Sequence, residues 1–199
     1  MWPIEKWTIT ALSSASIVLF AALVLSLVGV QETTLRYLLR ATACTSLLLF
    51  LPAFGATSVH AVLRNSASTW TVRNRRYLGV SFAISHFIHL GFIVWLARVY
   101  PDPFFANTGL SFWLVGGSTY LFIALMTITS FRTPRLWLGE KKWKLLHTTG
   151  GYLILFVFFQ AYVPKAFMGD VLRMPLAVAI LLVVGLRAYR IYRRRKVDA

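Results

Sequence analysis

Four histidines sit in otherwise apolar surroundings: His60 in AFGATSVHAVL, His86 and His89 in SFAISHFIHLGFIVWL, and His147 in KKWKLLHTTGGYLIL. None of the six carboxylates, Glu5, Glu32, Asp102, Glu140, Asp170 and Asp198, lies within the core of an apolar run. Ionisable groups inside a membrane normally mark function, and here they are imidazoles. Neutral imidazole ligates iron, and a pair of histidines on different helices can hold a heme in a helix bundle. The competing use is structural, since a membrane histidine that hydrogen-bonds a neighbouring helix stabilises it by about 1 kcal/mol. His86 and His89 are three residues apart and share a helix face, so they cannot be opposed axial ligands of one iron. One of them ligates in this reading, and the other contacts a propionate, a second heme or a quinone.

Helical rise orders the four by depth. His60 precedes Arg64 by four residues and His147 follows Lys144 by three, which places both about 5 Å inside one membrane edge. His86 lies about 15 Å and His89 about 20 Å beyond Arg76. His60 therefore pairs with His147 by height, and His86 or His89 belongs to a deeper site. A snorkelling Arg76 with a lower third span brings His86 toward the level of His147. The single cysteine, Cys44, excludes an internal disulfide and a multi-cysteine metal site, and reads as a small packing residue.

The elements that must carry these residues are membrane helices. The 199 residues are 58% apolar and 14% charged, against roughly half and a quarter in soluble domains. Six apolar runs reach or approach the roughly 20 residues that cross a bilayer core. They cover about 7–30, 39–63, 77–97, 110–131, 143–163 and 167–187, in one domain over 1–199. Pro101 and Pro103, Pro134 and Pro164 close the third, fourth and fifth runs. The sixth extends back to Phe167 with Arg173 snorkelling outward. The first run is long and lacks a small-x-small cleavage site, so it reads as a retained helix. The fold class is all-α: a six-helix integral membrane bundle.

The +15 net charge is explained by orientation. With both termini on one side, 16 of the 21 Lys and Arg residues fall there, and Arg36, Arg40, Arg98, Lys165 and Arg173 fall opposite. Basic loops stay cytoplasmic, so both termini are expected inside, in a plasma or inner membrane. The charge faces anionic lipid headgroups rather than nucleic acid. Trp70, Trp95, Trp113, Trp137 and Trp143 lie near span ends as interfacial aromatics. Gly150-Gly151, one turn past His147, admits a flat macrocycle or a second helix at close range. Arg64, Arg73, Arg75, Arg76 and Lys144 are placed to pair with heme propionates or to set topology.

Two stretches, RNRRYLGVSFAISHFIHL (73–90) and LGEKKWKLLHTTGGYLILFVFFQAY (138–162), resemble the ferric reductase-like transmembrane domain family. Within that family they resemble the heme-binding membrane subunits of bacterial methionine sulfoxide reductase systems. The resemblance covers the middle two-thirds of the chain. The pattern of two arginines, Leu-Gly and a deeper histidine matches Arg75, Arg76, Leu78, Gly79 and His89. The Trp-Lys-x-Leu-His opening of the fifth span matches Trp143, Lys144, Leu146 and His147. It implies six helices and b-type heme held by histidines of the third and fifth. Two departures follow: Gln160 stands where two-heme relatives carry a second fifth-span histidine, and Arg75 stands at the inner third-span position. His60 is then a candidate for the missing inner ligand. The heme-iron candidates are His147, His89, His60 and His86, with Arg76 toward the cofactor, for one heme or two. No motif marks a flavin or quinone site, and no nucleophile–base pair is evident.

The expected function is membrane electron transfer by an oxidoreductase subunit. A reduced flavin, a quinol or a separate cytoplasmic reductase donates the electrons. The alternative is a non-redox membrane protein, a small transporter or an anchoring subunit, that uses its histidines for helix packing or proton relay.

Overall fold

The structure is a computed structural model that describes residues 4–106 and 108–197. Among the described residues there is no strand. The helices are α1 (Trp7–Val28), α2 (Glu32–Leu63), α3 (Ser66–Val99), α4 (Pro101–Phe105), α5 (Leu110–Ile128), α6 (Arg132–Leu138), α7 (Glu140–Phe167) and α8 (Met174–Val197), with a 3-10 turn at Val171–Arg173. Six of these segments are long and apolar enough to cross a membrane, and α4 and α6 are short connectors. Their outward faces carry bare Leu, Val and Phe, such as Leu19, Leu27, Leu114 and Leu182. Only lipid makes that economical, because helices satisfy their backbone internally while apolar side chains meet acyl tails.

The helical boundaries differ from the apolar runs in an instructive way. α3 begins at Ser66, eleven residues before the apolar run at Tyr77, because Asn65 caps it. The Asn65 side chain accepts from the Ser68 amide at 2.9 Å, and the Asn65 amide donates to Ser68 Oγ at 3.1 Å. This capping box satisfies two orphan donors and lets a polar stretch continue as helix beyond the apolar run. The stretch between the fourth and fifth apolar runs, Arg132 to Lys142, folds as α6 and the first turn of α7. The Pro101-Pro103 stop ends α3, yet the chain re-enters a five-residue helix with Pro101 at its first turn, where a missing N–H costs nothing. Pro164 does not end α7, which runs three residues further to Phe167. Phe167 therefore belongs to the fifth span. Gly169, at φ +97°, breaks the chain before the sixth, in a conformation that favours glycine.

α2 and α3 form a long antiparallel hairpin at the centre of the molecule. Arg64, in the left-handed conformation at φ 47°, turns the chain between them. One apolar cluster gathers Leu47, Phe50, Leu51, Phe82, Ile123, Ile154, Phe158 and Ile180 from α2, α3, α5, α7 and α8. A second holds Ala21, Leu35, Leu38, Phe92, Leu96 and Phe104 at the α3–α4 end. α1 docks on α3 through polar contacts. The Lys6 amide donates to Asn74 Oδ1 at 2.8 Å, Thr10 Oγ1 to the Tyr77 carbonyl at 3.3 Å, and Ser81 Oγ to Thr10 Oγ1 at 3.2 Å.

Candidate functional site

The four histidines occupy three helix seams. His89 on α3 faces α2, where its Nδ1 lies 2.9 Å from Thr42 Oγ1. His60, near the end of α2, has its Nδ1 2.9 Å from Ser68 Oγ in the capping box of α3. His147 on α7 faces the end of α5, its Nε2 3.1 Å from Thr129 Oγ1. His86 on α3 is buried, and its Nδ1 has no hydrogen-bond partner.

His86 sits in an aromatic seam where α3, α5 and α7 meet. Its ring is 5.0 Å from Tyr120, 5.4 Å from Phe82 and 5.8 Å from Phe158, centroid to centroid. The Tyr120 hydroxyl donates to the His86 carbonyl at 3.3 Å. The structure brings His86 and His89 together, with rings 5.3 Å apart and 22° from parallel. Stacked on one face, they cannot flank one iron from opposite sides. No hydrogen bond or ring contact joins His60 to His147 among the described residues.

Around His147 the geometry is built by Trp143, Arg135 and Thr129. Trp143, one turn before it, packs its indole 4.4 Å from the imidazole and donates its N–H to the Thr129 carbonyl at 3.0 Å. The Arg135 guanidinium covers the other part of that indole at 4.0 Å and bonds Glu140 at 2.9 Å. The Trp143–His147 spacing of four was readable as a shared helix face; Thr129, Thr42 and Tyr120 carried no motif. Gly150 and Gly151 serve helix packing. A Cβ on Gly150 would collide with Met126 and meet Phe122 of α5 at 2.9 Å, and one on Gly151 would meet Phe54 of α2 at 3.1 Å.

Arg76 lies in a cage of rings, 5.7 Å from Trp7, 5.8 Å from Tyr77 and 5.3 Å from Phe131. Arg187 spans α8 to α2 and α7, donating to the Phe54 carbonyl at 2.9 Å with its guanidinium 4.0 Å above the Phe54 ring. Cys44 Sγ is 3.3 Å from the Tyr162 hydroxyl, a packing contact with a weak hydrogen bond.

The donor set fits a heme iron in its chemistry. Ligating imidazoles are normally held by a hydrogen bond on the nitrogen away from the metal. His60 and His89 are each held at Nδ1, and His86 offers a buried nitrogen with nothing on it. The space between α3 and α7 is filled by rings, with Phe82 and Phe158 centroids 6.3 Å apart and Phe50 against both. A porphyrin seated there displaces those rings. An open groove of about 220 Å³ between α1 and α2 is lined by Ser13, Ser16, Phe20, Thr42 and Thr45. A larger one of about 380 Å³ opens on α8 around Val178, Leu182 and Gly185 and is lined by no histidine. Among the described residues no three His, Cys, Asp or Glu side chains converge on a metal position.

No family model, curated protein or solved structure matches this chain.

Proposed function

We propose that the chain is a multi-pass membrane protein that holds b-type heme by its span histidines and passes electrons within or across the bilayer. The observation that carries this reading is a set of four imidazoles on the membrane-spanning helices, two of them held at Nδ1 in the manner of metal ligands. The ferric reductase-like motifs around His89 and His147 support it. His89 and His147 are the ligands those motifs assign, with His60 and His86 as the further candidates and Arg76 toward the propionates. Heme supplies a one-electron redox centre. The chain's own residues orient His89 and His60 through Thr42 and Ser68 at Nδ1, and the apolar side chains around the bundle centre exclude water. Burial among apolar side chains then sets the potential together with the ligands. Electrons come from a reduced flavin, a quinol or a separate reductase. Both termini face the cytoplasm of a plasma or inner membrane, in keeping with the arginine and lysine distribution.

A second reading has its own observation. Three of the four imidazoles already bond a hydroxyl of another helix or its cap, as interhelical staples do. The two separate on one preparation. Protein expressed with ample heme and purified carries a Soret band that shifts on dithionite reduction, and His89→Ala or His147→Ala diminishes or removes it. Colourless wild-type protein leaves the histidines as staples of a transporter or anchoring subunit and overturns the redox reading.

A further inference from the structure

The hydroxyls that hold His89 and His147 also fix which nitrogen of each ring carries the proton. A threonine hydroxyl has one hydrogen to give and two lone pairs. Thr42 Oγ1 lies 2.7 Å from the Leu38 carbonyl oxygen, one turn back on α2, and Thr129 Oγ1 lies 2.7 Å from the Leu125 carbonyl oxygen on α5. A carbonyl oxygen can only accept, so two oxygens at that separation attract each other only with the hydroxyl hydrogen between them. Each threonine has then spent its proton. The imidazole nitrogens at 2.9 Å and 3.1 Å must donate to the hydroxyl oxygens.

The consequence differs between the two rings, because Thr42 touches Nδ1 of His89 while Thr129 touches Nε2 of His147. His89 is the Nδ1–H tautomer, with the lone pair on Nε2 at the far end of the ring. His147 is the Nε2–H tautomer, with the lone pair on Nδ1, beside Cγ and close to its own helix. Nε2 is the imidazole nitrogen remote from the backbone, whereas Nδ1 lies beside it. Ser68 allows no such assignment for His60. Its oxygen is 2.9 Å from His60 and 3.0 Å from the Asn65 carbonyl, and it also accepts from the Asn65 amide.

We infer that Thr42 and Thr129 are opposed positioning residues: Thr42 presets His89 to ligate through Nε2, whereas Thr129 occupies the same nitrogen of His147, which becomes a ligand only after that bond breaks. This rests on the heme reading for its purpose, but the tautomers themselves do not.

The test begins with heme-free, histidine-¹⁵N-labelled protein in detergent, with His89→Gln and His147→Gln variants to assign the signals. The expected spectra show a protonated Nδ1 for His89 and a protonated Nε2 for His147. The opposite tautomer at either ring overturns the assignment. Thr42→Val should shift His89 away from pure Nδ1–H, and Thr42→Ser should restore it; a Val variant indistinguishable from wild type rejects the role of Thr42. Heme titration of the same proteins then reads opposite signs. Thr42→Val weakens binding by about 10-fold, the lower end for loss of a ligand-orienting hydrogen bond, and Thr129→Val leaves it equal or tighter. Equal weakening by both variants overturns the proposal. The assigned tautomers with no heme uptake by the wild type sink the redox function and leave the tautomer assignment standing.

Discussion

At the residue scale, polar groups in this bundle are satisfied one seam at a time. Ser46 on α2 and Ser85 on α3 share a hydrogen bond of 2.9 Å, both fully buried. Ser85→Ala strands the Ser46 hydroxyl and should lower stability by about 1 kcal/mol. The double variant Ser46→Ala with Ser85→Ala should cost no more than either single change, because no orphan remains. Denaturant titration in detergent measures both, and strict additivity would exclude the pairing. The four histidines were legible from residue type and setting alone. Their partners were not, because Thr42, Ser68 and Thr129 become neighbours only through the rotation of one helix about another, which apolar periodicity does not encode. Trp143 is the exception, since its distance of four from His147 already put both on one face.

Helix seams depend on a few small residues. α5 approaches α7 over Gly150, where any side chain would meet Met126 and Phe122. Gly150→Ala should destabilise by about 1–3 kcal/mol through overpacking, with partial recovery on adding Met126→Ala. Gly117→Ala is the control: nothing lies within 4 Å of its added carbon, and thermal stability should hold or rise slightly with the better helix former. Thermal unfolding followed by circular dichroism reads all three. The bilayer-length apolar runs showed where the helices cross, but not where they end. The ends of α3 and α7 were set by a capping box and by a proline tolerated three residues before a helix end. Neither changes the apolar pattern that made the spans visible.

For the whole molecule, the six spans make topology the natural test, with 16 of the basic residues expected on the cytoplasmic side. A green fluorescent reporter at the C terminus should fluoresce, and alkaline phosphatase fused after Gly169 should be active. The reverse pattern would refute cytoplasmic termini. One apolar cluster lies at the middle of the α2–α3 hairpin and the other toward its α4 end. Residues of that hairpin therefore link the α4 end to the seam that holds His86. Fold class was legible because lipid imposes it on the composition, while the aromatic filling between α3 and α7 was not. It depends on which faces of five helices meet.

The docking of α1 on α3 has a consequence for how the protein is made. The Lys6–Asn74, Thr10–Tyr77 and Thr10–Ser81 bonds join residues 68, 67 and 71 apart in the chain. The ribosome releases α1 long before its partners on α3 exist. Until α3 is made, Thr10 relies on its own backbone or on water. Assembly is paced by the arrival of the third helix, and a pause in translation between them lengthens the interval in which the nascent chain is exposed to quality control.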